Sequence, residues 1–188
     1  MSKTLRFKIK LLKSKPTIWR RFIVDDSMNF HELHLVIQNV MGWTNSHLYQ
    51  FMDSDEMIIS DPELMEEFDV TNSKKLKLSK FFNSPGTILM YEYDFGDGWD
   101  HELTLEKIIT DGPKLLYPVC LDGAMNCPPE DCGGIHGFYE YLKAMKDVKH
   151  PEHEDIVEWM GDYDADAFNL EKINNRLNTY SDIELSME

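Results

Sequence analysis

No run in this 188-residue sequence approaches the roughly 18 consecutive apolar residues of a membrane-spanning helix, which argues against an integral helical membrane protein. Positive charge is scarce. Nineteen lysines and arginines stand against 34 aspartates and glutamates, giving a formal charge of −15. Such a chain repels phosphate backbones and lacks the attraction on which non-specific nucleic-acid binding rests. Its two basic stretches, Lys3 to Arg21 and Lys74 to Lys80, alternate with apolar residues as solvated strand faces do. Cysteine is scarce too: the three residues all lie between 120 and 132 and cannot pair completely, which argues against a secreted disulfide framework. Low-complexity tracts and internal repeats are absent, so neither a disordered chain nor a solenoid is expected. The opening MSKTLRFKIK has no continuous apolar core and no small-residue cleavage site. It reads as a strand rather than a signal peptide, and the expected compartment is the cytoplasm.

With 42% apolar residues and this length, the chain can bury a substantial core. Thr4 to Leu12 and Thr17 to Val24 are β-forming runs separated by Lys13-Ser14-Lys15-Pro16, an opening hairpin. Asn29 and Glu32 form a capping box with Met28 and Leu33 as its staple, and Phe30, Leu33, Ile37 and Val40 give a helical stripe that Gly42 ends. His47 to Met52 and Glu56 to Ile59 read as short strands about Asp53-Ser54-Asp55. Asp61 to Ser73 reads as a polar loop with a helical turn, and Lys74 to Phe82 leads to a strand at Thr87. A second hairpin spans 87 to 109 and a Pro/Gly/Cys loop runs from Asp111 to Gly134. Helices follow: one with Phe138, Tyr141, Leu142, Met145 and Val148 on a face, one from Pro151 to Gly161, and one carrying Leu170, Ile173 and Leu177. The expected fold is α+β, in a single domain. A β-grasp-like mixed sheet of ubiquitin-like order covers residues 1–110 and includes an added β-hairpin; the cysteine loop covers 111–135 and C-terminal helices cover 136–180.

The stretch YEYDFGDGWDHEL, residues 91 to 103, gathers five acidic side chains about a glycine-rich turn. A two-residue Asp97-Gly98 turn would mix apolar and charged residues on each face. A three-residue turn over Gly96 to Gly98 pairs Phe95 with Trp99, Tyr93 with His101, Tyr91 with Leu103 and Leu89 with Leu105, and is preferred. On the other face Asp94 then meets Asp100 and Glu92 meets Glu102. Like charges so placed destabilise a sheet unless something compensates. One reading is a hard cation or cationic ligand. The other is neutralisation by Arg20, Arg21 or nearby lysines, or simple hydration of the patch. The candidate binding set is Glu92, Asp94, Asp97, Asp100 and Glu102, with Trp99 and His101 beside them, although a histidine among Tyr93, Trp99 and Leu103 is more often a hydrogen-bonded core residue than a ligand.

Cys120, Cys127, Cys132 and His136 offer a Cys₃His zinc set at spacings of seven, five and four. Buried free cysteines are an equal reading. A third is a nucleophilic Cys132 near a helix start, with His101 or His136 as base. His150-Pro-Glu-His153 matches no zinc-protease spacing. Asp162-Tyr-Asp164-Ala-Asp166 begins like a calcium loop but has Ala167 and Ile173 where glycine and glutamate are needed, so it is not an EF-hand.

Five blocks, Pro16-Thr-Ile-Trp-Arg-Arg21, Met41-Gly-Trp-Thr-Asn-Ser-His-Leu48, Tyr93-Asp-Phe-Gly-Asp-Gly-Trp-Asp-His101, Cys127-Pro-Pro-Glu-Asp-Cys-Gly-Gly134 and His150-Pro-Glu-His153 with Trp159, together resemble the plasmid pRiA ORF-3-like proteins. The resemblance covers nearly the whole chain. It implies that the position of His136 is often not histidine, which leaves Cys120, Cys127 and Cys132 as the stronger set. Labels within the family suggest transposon resolvases or passengers of mobile elements. A recombinase must hold DNA, and a chain of charge −15 with no basic helix-turn-helix is poorly built for that. The expected function is a cytoplasmic binding module that recognises a protein or small cationic ligand at the acidic hairpin face and adjoining cysteine loop. A metal-dependent or thiol enzyme on the same surface is the alternative, with zinc or another divalent cation as the implied cofactor.

Overall fold

The computed structural model describes residues 3–61, 70–113 and 115–185, with side chains as far as 179. Apolar and polar residues alternate along β1 (Thr4–Leu11), so Leu5, Phe7, Ile9 and Leu11 are buried while Arg6, Lys8 and Lys10 face the other way. β2 (Trp19–Asp25), β6 (Ile88–Tyr93) and β7 (Trp99–Ile109) repeat the pattern. With β3 (Tyr49–Met52), β4 (Ile58–Ser60), β5 (Thr71–Asn72) and β8 (Val119–Ala124) they form an eight-stranded sheet, ordered β5-β4-β3-β6-β7-β1-β2-β8. Among the described residues only the β4–β5 pairing is parallel, and the sheet buries one face, as antiparallel sheets can.

Helix α1 (Phe30–Met41) supplies much of the cover for that face. Its start is fixed by the expected capping box: the Asn29 side chain accepts from the Glu32 amide and the Glu32 carboxylate accepts from the Asn29 amide. Gly42, at φ 99°, ends it in the left-handed conformation that glycine adopts without strain. Phe30, Leu33, Val36, Ile37 and Val40 are fully buried with Phe7, Phe22, Phe51, Leu89 and Leu103. α5 (Leu170–Leu185) adds Ile173 and Leu177 to this core, while α3 (Gly134–Lys146) and α4 (His153–Met160) pack on each other through Ala144, Ile156 and Met160. No helix among the described residues is long and apolar enough to cross a membrane.

Two segments differ from expectation, and a third lies largely outside the described residues. The run leading into β6 contains a single helical turn, α2 (Leu78–Phe81). β8 lies inside the stretch read as a continuous loop and pairs with the otherwise open edge of β2; its run VCLDGA has no apolar alternation to announce it. Of the polar loop expected over Asp61 to Ser73, residues 62–69 and the helical turn they would carry lie outside the described residues.

The hairpin faces are as expected, but its register is slipped by two residues. Tyr93 pairs with Trp99, Tyr91 with His101, Leu89 with Leu103, and Glu92 with Asp100, so residues 94–98 form the connection. The extra length has a cause that combines a tertiary contact with the turn itself. The Asp94 amide donates to Leu48 of β3's approach, and Asp94 turns to φ 57° while its Oδ1 accepts from the amides of Gly96 and Asp97. Phe95 therefore points outward at 43% exposure instead of joining the core. On the open face every carboxylate has a partner: Lys13 meets Asp100 at 3.0 Å, Lys10 meets Glu102 at 2.8 Å, and Gln50 donates to Glu92 at 2.7 Å. Further along, Arg21 grips Glu106 through two hydrogen bonds of 2.7 and 2.9 Å, which hold that carboxyl below the usual range. Lysines of the first hairpin supply the compensation; Arg20 faces the core instead.

Two histidines are fully buried on the core face. His34 stacks on Tyr49 at 3.5 Å, and burial lowers its pKa from 6.5 to about 3; burial likewise lowers His101 to about 4. Both are neutral in the folded chain and charge on unfolding in acid, so the unfolded state binds more protons below pH 6.5. Their stabilising contribution is complete above 6.5 and is lost as pH falls towards 4. At pH 5 the loss is about 2 kcal/mol for each. Urea unfolding at pH 7.5 and pH 5.0 is expected to differ by several kcal/mol in that direction, and equal stabilities would contradict it.

Candidate functional site

The loop joining α1 to β3 is locked by polar side chains in a closed ring. The Asn45 amide donates to Gln38 Oε1 (3.1 Å), Gln38 Nε2 donates to the Tyr91 hydroxyl (3.0 Å), Tyr91 meets His34 Nδ1 (2.9 Å), and His34 Nε2 meets Asn45 Oδ1 (2.6 Å). Neutral His34 satisfies both contacts if Nε2 carries the proton, and its depressed pKa fits that form. Asn45 sits at φ 60°, so this ring holds a left-handed residue two positions before His47. Just beyond, the Ser46 amide donates to the Tyr93 hydroxyl, which donates to Glu130 of the cysteine loop. Glu130 also accepts from the amide and hydroxyl of Thr44 at 3.0 and 2.6 Å. Burial and Glu130 push the Tyr93 pKa up, which keeps the hydroxyl a donor.

The cysteine loop is pinned at other points. Arg20, 2% exposed, donates from Nε to the Val40 carbonyl at the end of α1, from one terminal nitrogen to the carbonyls of Trp19 and Ala124, and from the other to Cys127 Sγ at 3.2 Å. Trp43 Nε1 donates to the Pro128 carbonyl and the Tyr163 hydroxyl to the Cys127 carbonyl, both at 2.9 Å. Gly134, the first residue of α3, lies so close to the hairpin tip that a Cβ there would stand 2.2 Å from the Asp97 carbonyl oxygen. Only glycine permits that approach.

The loop after α1 and the hairpin tip, with His31, Tyr49 and Asp61, line a cleft of about 580 Å³ that includes His47, Asp94 and Phe95, and Asp131 of the cysteine loop meets His47 beside it. At one end His31 Nδ1 contacts the Tyr49 hydroxyl at 3.0 Å and lies 3.8 Å from Asp61. At the other, His47 Nε2 stands 2.9 Å from Asp131 Oδ1 and 3.6 Å from Asp94 Oδ2. Neither contact has hydrogen-bond geometry, and His47 Nε2 is a buried nitrogen without a hydrogen-bond partner. Asp94 is 8% exposed; its Oδ1 is occupied by the turn, whereas Oδ2 faces His47.

Of the residues expected at a site, Asp94 and Asp97 are at this junction. Glu92, Asp100 and Glu102 are on the open sheet face with their lysine or glutamine partners. Trp99 and His101 are buried at 1% and 0% exposure and build core. Cys120, Cys127, Cys132 and His136 do not assemble. The metal-competent trio formed among the described residues is His47, Asp94 and Asp131, with ligand atoms all within 4.8 Å of one another. His136 is exposed on α3, while Cys120 backs onto Asp122 and Cys127 onto Arg20 and Met41. Neither His47 nor Asp131 was singled out from the sequence. The usable signal was positional, because both lie inside quoted blocks, Met41 to Leu48 and Cys127 to Gly134, that the fold draws together around Tyr93 to His101.

An eight-stranded mixed sheet with helices over one face defines an α+β protein. Over residues 3–172 the sequence matches the family of plasmid pRiA4b ORF-3-like proteins, and the chain belongs to that family. It is similar to the uncharacterised protein y4hQ of Sinorhizobium fredii (strain NBRC 101917 / NGR234), 34% identical over 180 residues that cover 93% of this chain and 90% of that protein. The crystal structure of the protein of unknown function MM3350 from Methanosarcina mazei Go1 superposes with a TM-score of 0.78 at 36% identity, covering 90% of this chain and 97% of that one. Neither name assigns an activity.

The thiols do not suit a nucleophile. Burial raises all three, Cys120 to about 11 and Cys132 to about 12, with Asp97 pushing Cys132 further the same way. Iodoacetamide at pH 7.5 is expected to label the native protein at least tenfold more slowly than free cysteine, and the urea-unfolded protein at the free rate, since only the thiolate reacts. Labelling of native Cys132 faster than free cysteine would contradict this.

Proposed function

We propose that the protein is a cytoplasmic binding module whose cleft, between the hairpin tip and the loop after α1 and beside the cysteine loop, takes a positively charged group. One contrast carries the reading. Carboxylates of the open sheet face are matched by lysines or Gln50, whereas Asp94 is more than nine-tenths buried with no lysine or arginine in ion-pair contact among the described residues. A buried carboxylate without a cation is costly, and a cationic ligand offsets that cost. Leu48 and Phe95, both exposed, line the same cleft and suit a ligand with an apolar body, such as a lysine- or arginine-bearing peptide or a small amine. Three unpaired thiols agree with a reducing compartment. In layout, the opening β1–β2 hairpin with α1 across it supports a β-grasp-like reading of the amino-terminal part, with the β6–β7 hairpin entering between β3 and β1.

A metal-dependent enzyme on the same surface is the second reading, favoured by His47 standing with Asp94 and Asp131. A resolvase-like role has no support in the charge of −15. The test is a titration of ¹⁵N-labelled protein with spermidine and with N-acetylarginine amide, followed by amide shifts. Saturable shifts are expected at His47, Leu48 and Gly96, retained in Glu102→Gln and weakened about tenfold or more in Asp94→Asn, as loss of a charge-assisted contact implies. Shifts confined to strands β6 and β7, or equal affinity in Asp94→Asn, would overturn the proposal.

A further inference from the structure

We infer that the cation for which the cleft is built is a divalent transition-metal ion, zinc foremost, held by His47 Nε2, Asp94 Oδ2 and the Asp131 carboxylate. The inference rests on the reading of the cleft as a cation site and names the cation. Three chain segments contribute one ligand each: the loop after α1, the hairpin tip and the cysteine loop.

Donor chemistry selects the class of ion. Calcium and magnesium prefer oxygen ligands alone, whereas an imidazole nitrogen beside carboxylates suits zinc and its neighbours in the first transition row. Spacing agrees. An ion about 2.1 Å from each of its ligands in a tetrahedral arrangement sets those ligands about 3.4 Å apart, and His47 Nε2 lies 2.9 and 3.6 Å from the two carboxylates.

The side chains are also prepared for a ligand that is not a proton donor. His47 Nε2 is buried with no hydrogen-bond partner, although two carboxylates surround it. Asp94, more than nine-tenths buried, turns Oδ2 to the same point, and the amides of Gly96 and Asp97 fix its orientation through Oδ1. Hydrogen bonds of this kind orient metal-binding carboxylates. Asp131 is exposed, so the fourth position opens to solvent and to whatever the cleft receives. Together the trio provides two negative charges and one imidazole donor, enough to neutralise a divalent ion, and among the described residues no lysine or arginine is in ion-pair contact with Asp94 or Asp131 to compete with it.

The inference is tested on chelator-stripped full-length protein by calorimetric titration with Zn²⁺, Mn²⁺ and Ca²⁺, and by the visible spectrum with Co²⁺. One Zn²⁺ per chain is expected, bound more tightly than Ca²⁺, with a Co²⁺ spectrum free of thiolate charge transfer. His47→Ala and Asp131→Asn should each weaken Zn²⁺ by more than about 100-fold, since even loss of a group that merely orients a ligand costs 10–100-fold. Asp131 is 71% exposed, so its variant removes a ligand without touching the core. Cys120→Ser and Cys132→Ser should bind as wild type does. Absence of stoichiometric Zn²⁺, binding unchanged in both ligand variants, or a thiolate band lost in the cysteine variants would overturn it. If wild type takes no metal while spermidine still shifts the His47 and Gly96 amides, the metal inference fails and the cleft remains a cation site. If neither probe binds, both fail.

Discussion

A guanidinium in the core governs the arrangement of everything around the cleft. Arg20 lies on the buried face of β2, where alternation would otherwise call for an apolar residue, and among the described residues it has no carboxylate in ion-pair contact. A buried charge of this kind survives only if its hydrogens are accepted. Its acceptors come from four places: its own strand, the carboxyl end of α1, β8 and Cys127 of the cysteine loop. The end of α1 is the negative pole of that helix dipole, which favours a cation. Satisfying one side chain therefore fixes the cysteine loop against the helix whose next residues carry His47.

Charge is then sorted by position rather than by amount. The open sheet face gathers carboxylates, but β1 lies beside β7 and its lysines answer them across the ladder. Exposed pairs of this kind contribute about 0–1 kcal/mol each and keep like charges tolerable in the sheet. Asp94 escapes the arrangement because it leaves the strand. Its amide closes onto Leu48 and its side chain onto its own turn, which moves the carboxylate from the solvated face to the cleft beside His47. Asp131 arrives by the opposite route, on the loop that Arg20, Trp43 and Tyr163 hold down.

How much of this could be read from the sequence depended on the range of the forces involved. The capping box of α1 and its Gly42 stop are local, and both are present as read. The two faces of the β6–β7 hairpin were legible because side chains alternate with a period of two, so a slip of two residues leaves the division of faces intact. The register itself was not legible, because its loop length depends on Leu48, a partner some 46 residues away in sequence. β8 was hidden for a related reason: its edge pairing to β2 is tertiary and its own run carries no pattern. The cysteines stand out by type, yet type does not report convergence, and all three pack in the hydrophobic core, Cys127 against Arg20 and Met41. His47 was overlooked as a lone histidine at the start of a short strand, and only the folded position of its block gives it a role.

Through its bonds to Val40 and Cys127, Arg20 holds the end of α1, and with it the loop that follows, against the cysteine loop as one rigid unit beside the cleft. Native-state amide hydrogen exchange in Arg20→Lys measures this most directly, since lysine keeps the charge but cannot reach all the acceptors. Exchange should quicken about tenfold or more at residues 126–134 and at 43–47, as expected for lost charge-assisted hydrogen bonds, while amides of β6 and β7 keep their protection. An equal change across the whole chain, or none in those two loops, would contradict the account.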